Sequence, residues 1–109
     1  MNRFKTGDVV VKIANNKWRH NVTYGAKNSL DFYIPIRVYY SRWDMEKVWG
    51  GLLEFATVSG NHPAHNFILE TDYIYLKEHA PYILELLASP DLEIYELSLK
   101  LLENATENI

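Results

Sequence analysis

Cysteine is absent from this chain of 109 residues, which excludes disulfides, thiolate metal sites and cysteine nucleophiles. The same absence makes a reducing compartment the natural setting, so a cytoplasmic location is expected. No apolar run approaches membrane-spanning length, and Met1-Asn2-Arg3-Phe4-Lys5 lacks the apolar stretch of a secretory signal. A membrane partner is therefore not expected. Catalytic signatures are missing as well. There is no Gly-x-Ser-x-Gly elbow to present a nucleophile, and Gly50-Gly51 has neither the spacing nor the lysine of a phosphate-binding loop. Neighbouring acids such as Asp44/Glu46 and Glu70/Asp72 read as solvated surface pairs. These gaps point to a non-enzymatic protein with no cofactor.

What is present suffices for a core. Hydrophobic residues make up 48% of the chain, and its length is that of one domain, residues 1–109. The stretch Thr6-Gly7-Asp8-Val9-Val10-Val11-Lys12-Ile13 carries the clearest strand signal, with a glycine to make the approach turn and a β-branched run behind it. Ala14-Asn15-Asn16-Lys17 has turn chemistry, and alternation of Trp18, His20, Val22 and Tyr24 with Arg19, Asn21 and Thr23 predicts a second strand. From Asp31 to Tyr40 the alternation returns. It sends Phe32, Ile34, Ile36, Val38 and Tyr40 to one side, where Phe32, Ile34 and Tyr40 alternate like core residues, and Tyr33, Pro35, Arg37 and Tyr39 to the other, with an edge or a bulge near Pro35. A helical turn is expected over 44–49. Leu52–Val58 reads as a fourth strand, Ser59–Pro63 as a loop and Phe67–Leu69 as a fifth strand.

Thr71–His79 carries both strand and helix signals. Pro81 then opens a helix to Ala88, with Tyr82, Ile83, Leu86 and Leu87 on one stripe. Ser89 as N-cap, Pro90 at the first position and Asp91 in the first turn open another, reaching about Glu103. Its packing stripe is Leu92, Tyr95, Leu99 and Leu102, widened by Leu97 and Leu101.

Thr6-Gly7-Asp8-Val9-Val10-Val11 at the start, with Ser59-Gly60-Asn61 and Phe67-Ile68-Leu69 near the end, resembles the SH3-like small β-barrel over residues 4–76. The resemblance implies a five-stranded, mainly antiparallel barrel over 1–76, to which the helical segments are an addition that makes the whole chain α+β. Residues 77–109 would follow as a helical extension with a two-helix hairpin. The acidic, tyrosine-bearing ligand loop and proline groove of signalling SH3 domains have no counterpart here.

Charge is segregated along the chain. Residues 1–42 hold eight Lys/Arg against Asp8 and Asp31, a balance of +6, whereas 43–109 hold three lysines against twelve acids, a balance of −9. Such asymmetry is the footprint of a polyanion surface or of two opposed faces. Rings are interleaved with the cations: Trp18, Tyr24, Phe32, Tyr33, Tyr39, Tyr40 and Trp43 lie among Lys17, Arg19, Lys27, Arg37 and Arg42. Aromatic and arginine side chains are the commonest anchors of protein interfaces, so Trp18, Arg19, Tyr33, Arg37, Tyr39, Arg42 and Trp43 form the expected binding set for a protein partner. The same residues suit the alternative, a nucleic-acid strand stacked on rings and held by cations. His62-Pro63-Ala64-His65 is the sole His-x-x-His arrangement; with a carboxylate from Glu54 or Glu70 it could ligate a metal, although loop polarity accounts for both histidines.

Overall fold

The computed structural model describes residues 4–16, 30–42 and 50–107, with the side chains of Arg42 and Ser59 left aside. The expected second strand, 18–24, and the helical turn at 44–49 lie outside the described residues. The described chain is α+β. Strands β1 (Val9–Lys12), β2 (Ile36–Arg42), β3 (Leu52–Phe55), β4 (Val58–Pro63) and β5 (Phe67–Leu69) are followed by helices α1 (Glu70–His79), α2 (Pro81–Leu87) and α3 (Leu92–Glu107). A single 3-10 turn, Ala64–Asn66, joins β4 to β5.

All strand pairings are antiparallel, and the sheet order is β4-β3-β2-β1-β5. β1 is therefore interior to the sheet, which explains its valine run: a strand buried on both faces has no wet side to mark with polar residues. Val10 and Val11 are 0% and 1% exposed and belong to different apolar clusters. Val11, Ile13 and Ile68 meet Leu76, Ile83, Leu87, Tyr95 and Leu102 of the helices. On the opposite face Val10 joins Phe4, Val38, Leu53, Phe55, Ala64 and Phe67. Each fully buried valine contributes roughly 1.5–3 kcal/mol, so β1 fastens the two halves of the molecule together.

Among the described residues the sheet does not close. β4 and β5 remain its two edges, so the expected SH3-like barrel is not supported. β5 has only three residues and passes directly into α1.

Four local expectations also change. The strand expected over 31–40 begins at Ile36, because Tyr33 takes a left-handed backbone (φ 65°) and turns the chain there; Phe32 and Ile34 consequently lie exposed. Pro35 immediately precedes the strand and so removes no ladder hydrogen bond. Ser59–Pro63 is strand rather than loop. Phe55 pairs with Val58 across the two-residue turn Ala56-Thr57, and the register then shifts by two around Gly60, whose φ of 99° suits the extra residues. The helical region has three helices instead of two and begins at Glu70, ahead of the expected boundary at 77. Only Leu76 of α1 is buried, so its sequence carries almost no apolar periodicity, while Glu70 and Asp72 favour its N-terminus. Finally, α3 is capped by Asp91, whose Oδ1 accepts from the backbone N–H of Glu93 (2.9 Å) and Ile94 (3.3 Å), and it continues to Glu107.

Candidate functional site

β2 begins with regular alternation: Val38 pairs with Phe55 and points into the core. The next pair is Tyr40 with Glu54, so Tyr39 is an extra residue on β2. Such a bulge reverses the phase of every side chain beyond it. Tyr40, expected inside, is 53% exposed beside Tyr39 at 66%, and Ser41 takes the position opposite the buried Leu53. The bulge is pinned by the approach to β1. The Thr6 hydroxyl donates to the Tyr39 carbonyl (3.1 Å), Gly7 N–H to the Val38 carbonyl (2.9 Å) and Val38 N–H to the Asp8 carbonyl (2.8 Å). Gly7 has a φ of 96°, so the Gly-Asp segment supplies both the turn and these anchors. Arg37 is exposed, and its Nη1 donates to the Gly7 carbonyl at 2.9 Å.

The expected face of Tyr33, Arg37 and Tyr39 is divided. Tyr33 donates its N–H to the Lys12 carbonyl (3.0 Å) and stacks on Tyr73 of α1, with centroids 5.4 Å apart and planes at 18°. The Tyr39 carbonyl is instead held by Thr6, in the turn that precedes β1, so the two tyrosines are anchored at opposite ends of that strand. Trp18, Arg19 and Trp43 lie outside the described residues, and Arg42 ends β2. Lys12, one of the cations of the basic half, is only 6% exposed. Its Nζ donates to the Leu30 carbonyl (3.4 Å) and lies 5.2 Å from the Phe32 ring centre. Burial pushes its pKa down from the usual 10.5, and Asp31 opposes that shift.

His62 and His65 are both buried, so loop polarity does not account for them. They pack in different surroundings. His62 contacts the rings of Phe55 (5.4 Å) and Phe67 (6.2 Å), while His65 lies 4.3 Å from the Tyr95 ring. Among the described residues no three His, Asp or Glu gather where a metal could be held. An open depression of about 360 Å³ is lined by Leu30, Asp31, Ile34, Pro35, Ile36, Thr57 and Val58, a largely apolar wall with one carboxylate.

Two features escape sequence reading. Tyr40 follows the core alternation until the bulge displaces it, and no residue type at 38–40 announces the bulge. Leu97 and Leu101, expected to widen the packing stripe of α3, are 61% and 39% exposed. Comparison with protein families, curated proteins and solved structures finds no match to this chain.

Proposed function

We propose that this chain is a small non-enzymatic protein that binds another protein through the bulged surface of β2. The observation that carries this reading is the pair Tyr39 and Tyr40, adjacent on a strand yet both more than half exposed. Tyrosine and arginine are frequent interface anchors because a large, stiff side chain gives contact area at little entropic cost. Here the backbone beneath the rings is already fixed by Thr6, Gly7 and Asp8, so little ordering remains to be done on association.

Charge favours a protein over a nucleic-acid strand. Strand binding needs several cations following the phosphates, whereas Glu54 stands opposite Tyr40, Lys12 is buried and Arg37 is engaged with the Gly7 carbonyl.

The test compares immobilised wild type with a Tyr39→Ser/Tyr40→Ser variant in a native lysate. A specific protein retained by wild type and lost by the variant, with unchanged circular dichroism, is the expected result. Identical capture profiles, or none, would overturn the reading. Salt-steep binding of a single-stranded oligonucleotide would favour the alternative.

A further inference from the structure

α3 has two apolar stripes, of which the fold uses one. Tyr95, Ser98 and Leu102 are buried against the rest of the protein, whereas Ile94, Leu97 and Leu101, repeating at intervals of three and four residues, are 39%, 61% and 39% exposed. Exposed Glu93, Glu96, Glu103 and Glu107 share the helix with this second stripe, and Lys100 is its single cation. Residues 70–107 as a whole carry nine acids against Lys77 and Lys100.

We propose that this outer stripe of α3 is a docking site for a basic amphipathic helix of a partner protein, separate from the β2 surface. Leucine-type side chains three and four residues apart offer the ridge that another helix packs against. Glu93, one turn before Leu97, and the net negative charge of residues 70–107 favour lysine and arginine at the rim. The same charges weigh against the other occupants. A lipid surface with anionic headgroups, like a nucleic acid, is repelled by the glutamates. A second copy would set acidic rims against each other, and three half-exposed side chains cover a small part of the roughly 1,000 Å² that a stable dimer needs. Binding is therefore modest in affinity and salt-dependent.

The probe is a fluorescent synthetic helix of leucine and lysine at heptad spacing, with a leucine/glutamate helix as its counterpart, each titrated against the full chain by anisotropy. The lysine helix is expected to bind about tenfold or more tightly than the glutamate helix, and to weaken as salt rises. Leu97→Gln should reduce that affinity about tenfold, and Glu93→Gln/Glu96→Gln several-fold, while Tyr39→Ser/Tyr40→Ser leaves it unchanged. Leu97 is exposed, so its variant should keep wild-type circular dichroism. Equal binding of the two helices, no binding, an unaltered Leu97→Gln, or a dimer in light scattering that Leu97→Gln dissolves would overturn the proposal. Failure here leaves the Tyr39/Tyr40 comparison standing, because that variant pair shares no residue with α3.

Discussion

Asn66 and Asn16, fifty positions apart, clasp each other through a reciprocal pair of hydrogen bonds: Asn66 Oδ1 accepts from the Asn16 N–H (3.0 Å), and Asn66 Nδ2 donates to the Asn16 carbonyl (3.1 Å). Asn16 continues the chain of contacts, its Nδ2 donating to the carbonyls of Ala88 (2.9 Å) and Ser89 (3.0 Å) between α2 and α3. Asn66 also accepts from the Ile13 N–H through its own carbonyl, at 2.8 Å. The two asparagines, Asn66 1% exposed, thereby join the end of β1, the turn before β5 and the helical connection.

Replacing Asn66 removes a donor and an acceptor at once and leaves the Asn16 backbone without both. Asn66→Ala should therefore destabilise the protein by about 2–4 kcal/mol, read as a fall in the urea midpoint. Asn15→Ala, one residue from the clasp but exposed, should stay within about 0.5 kcal/mol of wild type. Equal effects would mean that the clasp contributes nothing.

Gly50 is a steric counterpart to His65. Its φ is 70°, and a Cβ there would run into the imidazole at Cδ2 and Nε2, a ring that also packs against Tyr95. Gly50→Ala should cost about 2–4 kcal/mol from backbone strain and overpacking together. Adding His65→Ala should relieve the steric part, so the double variant should be more stable than the sum of the single losses. Strict additivity in the thermal unfolding of the four proteins would refute the contact.

Sequence reading succeeded where a single local rule governs. Val9–Val11 had to be a strand because β-branched residues fill a doubly buried pleat, and Pro81 had to open a helix because its missing N–H is harmless there. It failed where tertiary contacts override local pattern. Tyr40 obeys the alternation of β2 until Thr6, Gly7 and Asp8, more than thirty residues earlier, hold a bulge at Tyr39. α1 is a helix with one buried residue, so nothing periodic marks it. His62 lies in a stretch whose Ser-Gly-Asn lead suggests a loop, yet β3 recruits it as an edge strand, and His65 follows in the buried 3-10 turn. Of the candidate binding residues, Tyr39 and Arg37 were legible as an outward face; Tyr33 was not separable from them until its left-handed backbone turned it towards Tyr73.

The start of α3 separates two readings that differ by two residues. Ser89-Pro90-Asp91 suggests a serine cap, but the free N–H groups of the first turn are taken by Asp91, while Ser89 Oγ accepts only from the Asp91 N–H at 3.1 Å. Asp91→Ala should cost about 1 kcal/mol and Ser89→Ala only a few tenths. The reverse order in equilibrium unfolding would return the cap to Ser89.

Lys12 carries a pH dependence whose sign follows from its burial. Its folded pKa is lowered by desolvation, against a partial pull from Asp31, so between that value and the usual 10.5 the unfolded chain holds a proton that the folded chain has released. Stability attributable to this group therefore rises with pH across that window, and at neutral pH the full penalty of a buried ammonium is present. Lys12→Met keeps most of the apolar stem and discards the charge, so it should melt higher than wild type at neutral pH. The advantage should shrink as pH climbs through that window and be lost above 10.5, where the wild-type amine is neutral in both states. A wild type that melts higher at neutral pH would show that the Leu30 carbonyl, the Phe32 ring and Asp31 outweigh desolvation, and a gap that stays constant with pH would remove Lys12 as its source.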